Sequence, residues 1–301
     1  MSYMLMKSIQ KIAQGFLFWL RKKKNRLGVF FSVLGFLLGL AYFACSLDGF
    51  GLWSRIQLWT VGVRNFRQDG WTGLIQDRCT SGASVARGEC VCVALIHGFG
   101  DQSLVWQKVF LTPEKAWKKL GLNASLKLLA INLPGVGGSR ISSQNEPYRV
   151  RKQAEQLRGV LLPVCPYWTV VGNDLGGWIA SWLALDWPEG VSRLVLLSPA
   201  GLKVDFEKQE DYFKESLAQK ILHAQTEEDF LEGRFFALRK PTLIVWGKED
   251  PVIPLSIGKY MRSFLPGALW REVSACGHFP QKECPWIVVQ SMIDMLNYGA
   301  M

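Results

Sequence analysis

Five short apolar runs, at 91–96, 126–131, 169–171, 194–197 and 242–246, constrain this chain more than any other feature. Each is continuous rather than alternating, the pattern of a strand buried on both faces. Between them lie stretches with a helical period, among them 150–162 and 177–185. Buried strand, helix, buried strand is the crossover unit of a mostly parallel sheet, so an α/β fold with flanking helices is expected. Each strand runs into glycine-rich or polar punctuation. The five segments are His97-Gly98-Phe99-Gly100-Asp101, a glycine-rich turn at 132–139, Gly172-Asn173-Asp174-Leu175-Gly176-Gly177, Gly247-Lys248-Glu249-Asp250-Pro251 and, near the end, Cys276-Gly277-His278-Phe279-Pro280. Functional groups of parallel sheets gather at the carboxyl ends of the strands, which makes these segments the candidate site.

In their order, these motifs resemble the α/β-hydrolase family over about residues 70–300. The matching features are a His-Gly turn after a strand, a Gly-x-nucleophile-x-Gly elbow at 172–176, an acid after a later strand and a late histidine. The resemblance implies an α/β-hydrolase fold with a helical cap inserted at about 202–240. It puts Asp174 at the nucleophile position, Asp250 as the triad acid, His278 as the base, and the backbone N–H groups of Phe99 and Leu175 in an oxyanion hole. Most members carry serine at the elbow. Aspartate there is characteristic of haloalkane dehalogenases, fluoroacetate dehalogenases and epoxide hydrolases, so the resemblance points to the Asp-nucleophile branch.

The chemistry of the residue accords with that branch. A carboxylate is ionised at neutral pH without a base, whereas a serine hydroxyl needs one. Attack by Asp174 on an ester carbonyl would give an anhydride, but attack on an sp³ carbon bearing halide or strained oxygen gives a stable ester that His278 can hydrolyse with water. Trp106, Trp178, Tyr212 and His223 are candidates for substrate or cap contacts. Elbow and lid do not settle the subclass, since Leu175 stands where dehalogenases place Trp or Arg, and Tyr212 is the one tyrosine in the cap stretch. Other readings stay open: Asp174 also suits a helix N-cap and Asp250 a turn. A non-catalytic binding module, or an esterase with Asp174 as base on water, is the alternative function. No CxxC pair or histidine cluster suggests a metal, and no cofactor is expected.

The remaining signals sit at the N-terminus. The net charge is +10, but residues 1–27 hold seven Lys/Arg and no acid, leaving +3 for the other 274. A nucleic-acid-binding body is therefore not expected. Residues 27–47 carry no charge and follow Arg21-Lys22-Lys23-Lys24-Asn25-Arg26. Twenty-one helical residues rise roughly 30 Å, enough to cross a bilayer, and the basic flank places the N-terminus in the cytoplasm. The expected organisation is a basic segment at 1–26, a single-pass anchor at 27–47, a juxtamembrane segment at 48–69 and the hydrolase body at 70–301 on the periplasmic or lumenal side. Trp53, Trp59, Arg55, Arg64 and Arg67 give the juxtamembrane stretch helix-like spacing. The partners expected are the membrane and a small lipophilic substrate. Cys79 and Cys90 flank a turn-rich stretch and are a candidate bridge, with free buried thiols the alternative.

Overall fold

A computed structural model describes residues 51–80, 83–85, 88–122, 124–141, 148–203 and 224–298. The expected anchor at 27–47 and the cap positions Tyr212 and His223 lie outside the described residues. Among the described residues, no helix is long and apolar enough to cross a membrane. The chain forms two compact units, Met1–Gln57 and Leu58–Met301, and the second carries the sheet.

Its strands are β1 (Arg64–Gln68), β2 (Trp71–Asp77), β3 (Cys90–Ile96), β4 (Ser125–Asn132), β5 (Trp168–Asn173), β6 (Val191–Leu197), β7 (Thr242–Gly247) and β8 (Leu269–Val273). They form one eight-stranded sheet in the order β1-β2-β4-β3-β5-β6-β7-β8. β2 is antiparallel to both its neighbours, and the rest pair in parallel. Among the described residues the α-helices are α1 (Gly51–Thr60), α2 (Gln107–Phe110), α3 (Glu114–Lys119), α4 (Val150–Leu161), α5 (Leu175–Asp186), α6 (Leu255–Ser263), α7 (Pro280–Glu283) and α8 (Pro285–Asn297).

The continuous apolar runs are explained by two cores, one on each face. Along β3, Cys92, Ala94 and Ile96 join the layer under α4 and α5, while Val93 and Leu95 join the layer under α2, α3 and α8. β4, β6 and β7 alternate in the same way. With both faces covered, both parities of these strands are predominantly apolar.

The sheet begins earlier than the expected boundary at residue 70. Residues 64–68, read as part of a helical juxtamembrane segment, form edge strand β1, joined to β2 by the two-residue turn Asp69-Gly70 with both φ values positive. Arg64, Asn65 and Arg67 are exposed on it, and a short charged edge blunts pairing with other chains. Its two arginines suit either a helix or an edge strand, so spacing alone could not separate them. Leu58 and Val63 are already in the core.

Three disulfides tie the body: Cys79–Cys90, Cys92–Cys165 and Cys276–Cys284. The first is the candidate bridge of the sequence. The second links β3 to the segment before β5, across 73 residues that no local pattern connects.

Candidate active site

Strand β5 ends at Asn173 and helix α5 begins at Leu175, leaving Asp174 alone to turn the chain. Its φ is 50° and its ψ −121°, a strained conformation for a non-glycine residue that costs on the order of 1–3 kcal/mol and recurs at functional sites. The flanking glycines make the turn possible. A Cβ on Gly172 would come within 2.3 Å of the Gly176 carbonyl oxygen, and one on Gly176 would approach the Ile96 carbonyl oxygen equally closely. The sharp turn lifts the Asp174 side chain over the strand ends.

Two other loops meet it there. The loop after β7 carries Asp250, whose Oδ1 accepts the N–H groups of Val252 and Ile253, both at 2.9 Å. Its Oδ2 lies 2.9 Å from His278 Nδ1. The imidazole is thus oriented with Nε2 toward the elbow, 3.7 Å from Asp174 Oδ1. The other Asp174 oxygen, Oδ2, accepts the Phe99 N–H at 2.9 Å. All five expected residues, Asp174, Asp250, His278, Phe99 and Leu175, converge on one buried point.

Charge follows from that geometry. Burial pulls the His278 pKa down, but hydrogen bonds and charge from Asp174 and Asp250 outweigh it and push it up to about 9. Burial likewise pushes Asp174 up, yet His278 and the N–H groups of Phe99 and Leu175 prevail and hold it below the usual carboxylate range. At neutral pH the site rests as an imidazolium between two carboxylates. His97 differs: its Nδ1 sits 2.7 Å from the Gly98 carbonyl oxygen, and its Nε2 accepts the Leu133 N–H at 3.0 Å. Burial lowers its pKa, and the neutral ring pins the Phe99 loop to the turn after β4, a structural role.

Of the two candidate tryptophans, Trp178 is placed otherwise than as a substrate donor, and the Trp106 indole N–H is buried with no hydrogen-bond partner among the described residues. The Trp178 indole N–H donates to the Asp229 carbonyl oxygen at 2.8 Å, so the group that could have held a leaving anion is already used. Trp106 is fully buried as a core side chain in the layer under α2, α3 and α8.

Other residues escaped the sequence reading. Asn173, wholly buried, donates through Nδ2 to the carbonyl oxygens of Leu197 and His278 (2.9 and 3.0 Å) and accepts from Gln281 Nε2 at 2.8 Å. Glu283 accepts the N–H groups of Gly277 and Phe279, at 2.7 and 2.9 Å. Asp229, in the segment between β6 and β7, pairs with Arg149 at 3.0 Å and accepts both Trp178 and Trp182 N–H groups on its carbonyl. One signal for the histidine loop was visible: cysteines stand on both sides of His278, eight residues apart.

A family model of the alpha/beta hydrolase fold matches residues 92–222 and 201–285. Among curated relatives, an uncharacterised hydrolase, YugF, from Bacillus subtilis (strain 168) is 26% identical over 249 residues, covering 66% of this chain and 91% of its own length. A 2-hydroxy-6-oxononadienedioate/2-hydroxy-6-oxononatrienedioate hydrolase from Paraburkholderia phymatum is 24% identical over 255 residues, 68% of this chain and 86% of that one. The crystal structure of a putative lipase (lip1) from Acinetobacter baumannii AYE superposes with a TM-score of 0.63 at 19% identity, covering 81% of this chain and 94% of that one.

Proposed function

The chain belongs to the α/β-hydrolase fold family, and from that premise we propose that it hydrolyses a lipophilic electrophile at an sp³ carbon, an epoxide or alkyl halide, through a covalent ester on Asp174. The observation that carries this reading is the 2.9 Å hydrogen bond from the Phe99 N–H to Asp174 Oδ2. In a serine enzyme such a donor would receive the substrate's carbonyl oxygen. Here a side-chain carboxylate takes it, leaving Oδ1 turned toward the base. That arrangement hinders binding of an ester carbonyl and polarises the ester that Asp174 itself would become.

In the first half-reaction a lone pair of Oδ1 forms a C–O bond as the bond from carbon to the leaving atom breaks; halide leaves as the anion, whereas an epoxide oxygen takes a proton, for which Tyr212 and His223 are the candidate donors. In the second, water adds to the Asp174 carbonyl carbon, its proton passes to His278 Nε2, and the negative charge develops on the oxygen held by Phe99 and Leu175. Collapse expels the alkoxide, which takes the proton from His278 to leave as the alcohol, and the restored Asp174 carboxyl gives up its remaining proton. Asp250 holds the ring and stabilises the imidazolium. Esterification also removes the Asp174 charge, the first of the interactions that keep His278 protonated, so the ring becomes a base at the stage that needs one.

The proposal includes a membrane anchor at 27–47 with the body on the periplasmic or lumenal side. The basic flank supports the orientation, and three disulfides support an oxidising compartment. A lipophilic substrate delivered from the bilayer fits that placement.

The test uses a panel of epoxides, alkyl halides and activated esters. With a substrate turned over by the wild type, His278→Gln should accumulate a substrate-sized mass increment on the peptide containing Asp174, because alkylation continues while hydrolysis slows roughly 10²–10⁴-fold. Asp174→Ala should form no adduct. Full activity in Asp174→Ala would overturn the mechanism, and turnover of esters alone would favour Asp174 as a base on water.

A further inference from the structure

The segment that carries His278 is held from both sides by groups outside the triad. On the inner side Asn173, adjacent to the nucleophile, donates to the His278 carbonyl oxygen at 3.0 Å and is itself held by Gln281 at 2.8 Å. On the outer side the two oxygens of Glu283 accept the N–H groups of Gly277 and Phe279, the residues immediately before and after the histidine. The approach is close enough to dictate the neighbour: a Cβ on Gly277 would lie 2.8 Å from Glu283 Oε2. The cysteine on each side of this stretch, Cys276 and Cys284, closes it into a loop. Glu249 adds an anchor at its start, accepting the Cys276 N–H at 3.0 Å.

The Phe279 N–H lies in the peptide plane that follows His278 and the Gly277 N–H one plane before the histidine's own, so the two bonds restrain the backbone on both sides of His278 and with it the direction of the side chain. Asp250 acts on the ring through Nδ1 and does not itself set the backbone from which the ring projects. We propose that Glu283 is a positioning residue for His278, a carboxylate clamp that aims Nε2 at Asp174. Both oxygens are needed. A glutamine at 283 has one acceptor oxygen, and its NH₂ would face a second backbone N–H, so one bond of the clamp would be replaced by a repulsive contact. The inference rests on the reading of His278 as the base, but not on the identity of the substrate.

The full chain in detergent micelles, labelled with ¹⁵N-histidine, offers a direct readout. It contains three histidines, His97, His223 and His278, of which His97 is hydrogen-bonded to Gly98 and Leu133, not to the histidine loop, and reports the fold. In the wild type His278 should titrate near 9, with a downfield Nδ1 proton bonded to Asp250. In Glu283→Gln the midpoint should fall by about one pH unit or more as the ring swings from its carboxylates, and the downfield proton should weaken while the His97 signals stay in place. Glu283→Ala, which removes both acceptors without adding an opposing amide, should give the same fall. Unchanged His278 midpoints in both variants would overturn the proposal, and so would His97 signals displaced as far as those of His278, because the effect would then be general loss of structure. The titration is independent of turnover. If no panel substrate forms an adduct in the wild type, the nucleophile reading fails while the clamp still gives its own answer.

Discussion

At the scale of single residues, the site is governed by one imidazole between two carboxylates. His278 binds its proton in the folded state up to about pH 9, while an unfolded histidine releases it near 6.5. Its contribution to stability is therefore whole below about 6.5 and is lost as pH rises through about 9. At ~1.4 kcal/mol per pH unit this amounts to a few kcal/mol. Asp174 has the opposite sign: its lowered pKa stabilises the fold above the unfolded carboxylate value, and that stabilisation is lost on acidification. Urea midpoints measured from pH 4 to 10 should fall on the alkaline side, and Asp174→Ala should flatten that fall. The two half-reactions should separate by pH as well. Adduct formation should be nearly constant from pH 6 to 9, because Asp174 is ionised throughout. Adduct decay in the wild type should rise with an apparent pKa well below 9, because the esterified Asp174 no longer holds the proton on His278.

At the scale of elements, the disulfides divide into two kinds. Cys92–Cys165 closes 73 residues and Cys276–Cys284 closes 8. On the chain-entropy account the longer loop is worth roughly 4 kcal/mol and the shorter about 2.5. Replacing Cys92 and Cys165 by serine should lower the urea midpoint more, whereas replacing Cys276 and Cys284 should act chiefly on adduct decay, because that loop carries His278. The segment before β7 is fastened by Asp229, wholly buried, which pairs with Arg149 and receives two indole N–H groups from α5. Asp229→Asn removes the charge that the partly exposed Arg149 pairs with, and losing a hydrogen bond to a charged group typically costs about 1.5–3 kcal/mol. Limited proteolysis should cut the variant between 203 and 238 sooner than the wild type.

At the scale of the whole molecule, the body needs its first strand. A fragment starting at residue 70 lacks Leu58, Val63 and β1, all part of the folded unit. It should unfold at clearly lower urea than one starting at residue 51, since removing a single buried aliphatic side chain already costs about 2–5 kcal/mol. For the full chain, a reporter active only in the cytosol and fused after Met301 should be silent; strong activity would refute the proposed orientation. Much of this organisation was legible before any coordinates. Continuous apolar runs announce strands buried on both faces, and the crowded glycines around Asp174 announce a sharp turn, because periodicity and turn chemistry act over a few residues. Asp174, Asp250 and His278 were found by their order along the chain. What tertiary structure alone decided is which distant groups meet. The sequence separations of 105 from Asn173 to His278, 73 from Cys92 to Cys165 and 51 from Trp178 to Asp229 are closed only by the order of strands in the sheet. That order also made residues 64–68 an edge strand, spent the Trp178 N–H on Asp229 and put Glu283 across the histidine loop. No local pattern encodes such meetings, because each depends on the sheet that brings the partners together.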